Sequence, residues 1–427
     1  IGYIGNEYLG KVRDQLQKDL GIEPSHVAIN ASHCHSIVCK DVAERTVEAV
    51  KQAASRMVPV KVGAGVGHED RVSENRRFKL KSGREVDSRH AYSIPPDEEV
   101  AEVGPIDPEI GLLRLDNEQG ETVAVLYNFA CHPIQGAASG GNTADMTGFS
   151  SKVIEENLAE GAIAVFIQGC GGDINPIRYK EVSNPRDGEI HGSLLGLSVL
   201  RGIRKTKVQN SSELKVINET LDLPRADLED RIVKLEQERQ DLLETLSGTS
   251  LNFKSFMELF DKYNRFEEYP SYYSHLYLTE KMLGRNHLRK MDEINRSNME
   301  AYRRNIYAME ELTRMKANLA LLKMHQAQNV AAGKRTVDVE LVGLRVGNFK
   351  LITFPGELTV KIGLNIKQQT SHDLTFVAGY TNGYIYYAPT TEQLLNVGGA
   401  QEDSDCILAP EWQPIFEKKA LDILERL

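Results

Sequence analysis

His33 and His35 stand two positions apart in INASHCHSIVCK (residues 29–40), directly after HVAIN, which reads as a buried strand. In extended backbone residues i and i+2 point to the same side. Both imidazoles would then project from the carboxyl end of a sheet, where open α/β sheets place their ligands. Two neutral imidazoles on one side point to a metal site; the competing reading is two polar loop residues. Further candidates recur at equivalent places. His132 closes the run LYNFACHP, Glu357 closes LITFPGE, and Tyr384, Tyr386 and Tyr387 follow the last strand pattern. If those strands share one sheet, their ends converge on one cleft. Histidines and a carboxylate with one open position make a catalytic zinc arrangement, which lowers the pKa of bound water and polarises a carbonyl.

The elements that must position these residues alternate between strand and helix. NEYLGKVRDQLQKDLG carries Leu9, Val12, Leu16 and Leu20 at helical spacing and stops at Gly21. A second helix follows Asp41, and VPVKVGAGV alternates as a strand. Residues 67–108 are polar and aperiodic and read as a long loop region. GLLRLDNEQGETVAVLYNFACHP reads as a hairpin, and FSSKVIEENLAEG as a short helix. AIAVFIQGCGGDINP reads as a buried strand running into a glycine-rich loop. A helix is expected over 190–203, two strands joined at VGN after residue 335, a strand in LTFVAGY, and a closing helix in PEWQPIFEKKALDILERL. Residues 225–331 differ: long, charged and helical, around the aromatic FEEYPSYYSHLYL. The expected fold class is α/β, a mixed β-sheet core flanked by helices with a long inserted antiparallel helical segment. The expected domains are an α/β catalytic domain over 1–224 and 335–427, and a helical insertion over 225–334. That insertion reads as a hairpin packed on the core, or as a lid or partner-binding arm.

Composition narrows the function. The chain has 427 residues, 41% hydrophobic and 26% charged, with net charge −10. That balance argues against general nucleic-acid binding, which wants a basic face. No apolar run approaches the roughly 20 residues that span a bilayer. Ile1 in place of Met leads to the expectation of a fragment or processed chain, so an upstream targeting signal is not readable. The five cysteines are an odd count without a Cys-x-x-Cys pair, and they read as packing residues. GCGGD lacks the Lys-Ser/Thr of a phosphate-binding P-loop.

Six stretches, NASHCHS, LYNFACHPI, ADMTGF, FIQGCGGDINP, FPGELT and YTNGYIYYAPTTEQL, occur in the order found in the neutral ceramidases. The chain resembles the catalytic domain of that family over most of 1–205 and 335–427. The resemblance implies one zinc ion held by His33, His132, Glu357 and Tyr387, with His35 beside it to stabilise an oxyanion. It implies hydrolysis of an amide in an N-acylated substrate, a ceramide-like lipid or another N-acyl compound, by zinc-bound water. Asp173 and Asn175 join His35 as catalytic candidates; Arg76, Arg77, Asp145 and Tyr384 are substrate-binding candidates. Asp145 and Asp173 also read as groups that orient ligands or brace loop turns. Arg76 and Arg77 in SENRRFK would grip a carboxylate or phosphate, or belong to a solvated basic loop. The implied partners are a small N-acyl substrate and membrane-surface lipids, in a secreted or periplasmic setting. The chain departs from the family pattern at Asn175, where a serine is expected, and at Ala400, where a tyrosine is expected before Gln401. On this resemblance, the family's first strands and its immunoglobulin-like C-terminal domain are expected to fall outside residues 1–427. These departures open the alternative of a non-catalytic member that binds a partner through the fold and the helical segment.

Overall fold

The computed structural model describes residues 2–88, 94–136, 141–179, 186–271, 273–396 and 399–427. Helices α1 (Asn6–Leu20) and α2 (Val42–Ser55) open the chain. Leu9, Val12 and Leu16 recur at helical spacing and bury one face of α1. HVAIN between the helices is not a strand, which corrects the sequence expectation. Pro24–His26 forms a 3-10 turn, and Asn30 makes only an isolated bridge to Thr381. The segment's backbone is satisfied instead by Asn382, whose Oδ1 accepts from Ile29 N at 2.7 Å while its own N–H donates to Ile29 O at 3.0 Å. Val27 is buried among Val12, Leu16 and Val47, so its apolar character serves helix packing rather than a sheet.

Strands β1 (Lys61–His68), β2 (Ser73–Asn75), β3 (Arg77–Leu80), β4 (Glu85–Asp87) and β5 (Val100–Val103) follow. The polar stretch 67–108 is therefore organised around short strands, a second correction; residues 89–93 lie outside the described ones. Its inward side chains include Asn75, Arg77, Glu85 and Asp87, all buried. A strand that buries ions has no hydrophobic alternation to read.

Strands β6 (Glu109–Asp116) and β7 (Thr122–Phe129) form the expected hairpin, followed by α3 (Asp145–Glu156), β8 (Ile163–Gln168), β9 (Ile174–Pro176) and α4 (Gly188–Ile203). Next come β10 (Leu214–Pro224), α5 (Glu229–Glu244), α6 (Phe253–Arg265), α7 (His275–Met282) and the 45-residue α8 (His287–Ala331). The chain closes through β11 (Thr336–Val346), β12 (Phe349–Thr353), β13 (Glu357–Leu358), α9 (Val360–Gln369), β14 (Thr375–Ala378) and β15 (Tyr387–Ala388). Helices α10 (Thr391–Leu394), α11 (Gln401–Ser404) and α12 (Trp412–Arg426) end it.

Two four-stranded mixed sheets, β1-β6-β7-β8 and β10-β11-β12-β14, form the core. Alternating side chains set the layers. Val125, Tyr127 and Phe129 of β7 pack with Met146, Ile154, Leu195 and Val199 of α3 and α4. The opposite face gives Leu113, Leu126 and Ile167, which meet Phe349, Leu351 and Phe376 of the second sheet. The second sheet's far face packs Ile352, Phe354 and Val377 on Ile362, Trp412, Phe416 and Ile423 of α9 and α12. The result is a helix–sheet–sheet–helix stack, which buries both faces of each sheet. Gly111 lets the sheets approach closely: a Cβ there would lie 2.4 Å from the Phe376 ring. Parallel pairs β7–β8 and β12–β14 bring four strand carboxyl ends to the same end of this stack.

A half-buried ion pair ties α1 to the second sheet. Arg13 donates to both Glu340 oxygens, at 2.8 and 2.6 Å, and Asn218 and Asn382 donate to Glu340 Oε1. Burial alone would raise the Glu340 carboxyl, but Arg13 and the two amides outweigh it and hold it below its ordinary 4.5. The unfolded chain then takes up a proton at higher pH than the folded one. This contribution to stability is complete above pH 4.5 and is lost as the pH falls through the folded value. Glu340→Gln should flatten the acid limb of a urea-midpoint-against-pH curve; an unchanged limb would contradict the assignment.

By contacts the chain divides into Ile1–Leu228 with Leu321–Leu427, and Glu229–Ala320. Inside the second unit Phe256 stacks on Tyr302 at 4.8 Å, and the Tyr263 hydroxyl donates to Asp292 at 2.9 Å.

Candidate metal centre

His132 lies three residues past β7, Glu357 opens β13, and His33 sits in the loop between the 3-10 segment and α2. The loop after β8 supports them. A Cβ on Gly172 would lie 2.6 Å from the Glu357 carbonyl oxygen, so this glycine of GCGGD lets the loop press against the Glu357 backbone. His33, Tyr380 and Tyr386 all have positive φ, at 61°, 54° and 66°. Strained non-glycine backbone concentrated at one place is characteristic of functional sites.

Three side chains converge. His33 Nε2 lies 3.5 Å and His132 Nε2 3.2 Å from Glu357 Oε2. His35 Nε2 lies 3.2 Å from His33 Nε2, and the nitrogens of His33, His35 and His132 group within 4.8 Å of one another. A tetrahedral zinc ion with bonds of about 2.0–2.1 Å would separate its ligand atoms by about 3.3–3.4 Å. The tautomers agree with that geometry. His33 Nδ1 is 2.5 Å from the Gly2 carbonyl and His132 Nδ1 is 3.1 Å from the Ile174 carbonyl. A carbonyl only accepts, so each Nδ1 carries the proton and a neutral ring turns its Nε2 lone pair inward. His132 Nε2 is buried without a hydrogen-bond partner, facing a carboxylate. Two lone pairs and a carboxylate aimed at one another are repulsive unless a cation stands between them, and the donor set fits zinc.

The electrostatics favour the metal-ready forms. Burial pushes His132 well below its ordinary 6.5, and the Arg76 charge adds to that. Burial would raise Glu357, but the Tyr384 hydroxyl and positive charge at the His33 and His132 positions, which a bound cation would supply where the rings are neutral, hold it well below its ordinary range.

No family model and no curated protein sequence matches this chain. Solved structures do match. The crystal structure of neutral ceramidase from Pseudomonas aeruginosa is 17% identical with a TM-score of 0.60, and covers 100% of this chain and 66% of that one. A ceramidase complexed with C2 is 19% identical with a TM-score of 0.60, over 100% of this chain and 67% of that one. The chain has the neutral ceramidase fold. It spans about two thirds of the length of those ceramidases.

The remaining candidates surround the three converging groups at different depths. Tyr384, half-buried and stacked on Tyr3, donates to Glu357 Oε1 at 2.6 Å. Tyr380 was missed by sequence reasoning. It is fully buried, packs on the His33 ring at 4.3 Å and donates to Glu357 Oε2 at 3.3 Å. Its signal was the tyrosine-rich run after β14, of which only the later members were singled out. Tyr387 pairs with Glu357 in parallel register between β13 and β15, and its hydroxyl receives Arg76 Nη2 at 3.2 Å. His325 braces this loop from α8: its Nε2 meets Asp405 Oδ1 at 2.8 Å and its ring packs edge-on against Tyr386. His35 is exposed at the mouth, with its ring centre 5.9 Å from that of His132.

Burial places several of the candidates inside the fold. Arg76 and Arg77 are 2% and 3% exposed, so they form neither a solvated loop nor a surface grip. Arg76 donates to Glu402, Asn175 Oδ1, the Gly172 carbonyl and Tyr387. Arg77 is held by Glu85 and by both oxygens of Asp403, so the protein's own acids already engage its charge. Asp173, a catalytic candidate, caps α9 through Val360 N at 2.7 Å and receives Asn75 Nδ2 at 3.1 Å. Asn175 orients Arg76 and so acts at one remove. Asp145, a substrate-binding candidate, accepts from Met146 N and Gly136 N and pins the loop after His132 to α3. Ala400 is buried at the start of α11.

Tyr384→Phe should weaken zinc binding about 10–100-fold, because a partner of a ligating carboxylate is lost. Competition with a chromophoric chelator measures it; unchanged affinity would remove Tyr384 from the support of Glu357.

Proposed function

We propose that the chain is a zinc-dependent hydrolase of an amide in an N-acylated substrate, a ceramide-like lipid or another N-acyl compound. The observation that carries this reading is the convergence of His33 and His132 on Glu357 at 3.2–3.5 Å with both Nδ1 atoms tied to backbone carbonyls. Its support from fold is the likeness to ceramidases. His33, His132, Glu357 and Tyr387 would hold the ion, which supplies Lewis acidity and a water of lowered pKa. His35, exposed beside them, can donate from its imidazole to the carbonyl oxygen as negative charge develops there, a contribution of about 3 kcal/mol in comparable sites. The same imidazole would hold a proton for the departing amine. Tyr384 and Tyr380 hold Glu357 in its ionised orientation, and Arg76 fixes the Tyr387 hydroxyl.

The test is release of amine from a series of N-acyl amides of increasing chain length, with zinc-loaded and chelated protein. Zinc-dependent release that His35→Ala lowers about 100-fold supports the reading. Metal bound without turnover on any N-acyl compound would replace it with the binding-protein alternative.

A further inference from the structure

The helical unit carries a feature that amide hydrolysis does not use. Residues 281–291, KMLGRNHLRKM, join α7 to α8 and hold four Lys/Arg and no Asp/Glu, in a chain of net charge −10. Every residue among them except Leu288 is exposed. Met282 is 87% and Leu283 59% exposed, and Leu278 and Met291 on the flanking helices are about half exposed. Large apolar side chains held in water at a turn are costly unless something covers them. Gly284, with φ 66°, ends α7 and lets the chain reverse, so that Met282 and Leu283 stand between Lys281 and Arg285. The turn is held from behind: Tyr277 is buried, and Arg289 lies over the Tyr269 and Tyr277 rings at 5.3 and 4.9 Å.

We propose that this α7–α8 tip is a membrane-docking element for an anionic lipid surface. Unbranched and γ-branched apolar side chains flanked by cations match the two layers of a bilayer interface, acyl boundary and anionic headgroup. A protein partner would need an acidic ring around an apolar socket; a lipid surface supplies both without shape. The tip's composition carries this inference independently of the hydrolase reading, and its test reads binding rather than turnover.

The experiment is co-sedimentation of the full chain with phosphatidylglycerol vesicles and with phosphatidylcholine vesicles, for wild type, Met282→Ser/Leu283→Ser and Lys281→Glu/Arg285→Glu. The expected result is binding to the anionic vesicles only. It should weaken about tenfold or more in each double variant, and salt should weaken it further. A Leu283→Trp reporter, in a chain whose one tryptophan is buried, should shift to the blue on the anionic vesicles. No binding, or binding that both double variants retain, would overturn the proposal. So would a dimer in light scattering that the serine variant abolishes, because a second copy would then be the occupant.

Discussion

Glu357→Gln should weaken zinc binding about 100–1,000-fold and lower amide turnover in step. A four-ligand structural zinc site is worth about 10–16 kcal/mol, so one ligand carries about 2.5–4 kcal/mol, and every 1.4 kcal/mol is tenfold. Glutamine keeps the size of the side chain and removes the charge toward which both imidazoles point. The variant's metal-free stability should not fall, because its amide N–H can donate to the inward lone pair of His132, which has no partner in the wild type. Zinc titration and thermal unfolding in chelator read the two effects separately. A variant that lost metal-free stability and kept its zinc would show that Glu357 is a structural group.

Arg76→Met should destabilise the fold by about 3–5 kcal/mol, the cost of breaking a buried ion pair from one side. Glu402, at 0% exposure, loses the donor that lies 2.6 Å away, and Asn175, the Gly172 carbonyl and the Tyr387 hydroxyl lose theirs. Burial opposes the Arg76 charge, but Glu402 and Tyr387 outweigh it and keep the guanidinium protonated far beyond the ordinary range. Lysine cannot replace it, since one ammonium cannot present the planar fork that reaches four partners. Arg76→Met combined with Glu402→Gln should recover much of the loss, because the stranded charge goes with its partner. Urea unfolding decides it: a single-variant loss below about 1 kcal/mol would mean that the pair is screened by solvent.

The sites that declare themselves in the sequence do so through side chains that have one use. His33, His132 and Glu357 follow apolar runs, which marks them as candidates, and the resemblance to the ceramidases is what joins them into one set. The α/β class and the helical segment were legible because their periodicities are long and regular. Residues 67–108 were not, because that segment buries arginines and carboxylates against one another and presents loop composition. HVAIN was misread because Val27 buries against helices while Asn382, more than 350 positions away, satisfies its backbone. The stacking of two sheets was also hidden, since a strand buried on both faces shows a continuous apolar run and does not say what covers each side. Asp173 reads as a catalytic and Asp145 as a substrate-binding candidate, with loop bracing as the alternative for both; their hydrogen bonds show each fastening a loop to the first turn of a helix.

Whether His33, His132 and Glu357 hold zinc is read most directly from the metal content of the protein. Mass spectrometry on protein purified without chelator, wild type beside His132→Ala, should give about one zinc per chain in the first and almost none in the second. Folded wild type without metal, or a His132→Ala variant that keeps its zinc, would contradict the proposed zinc site.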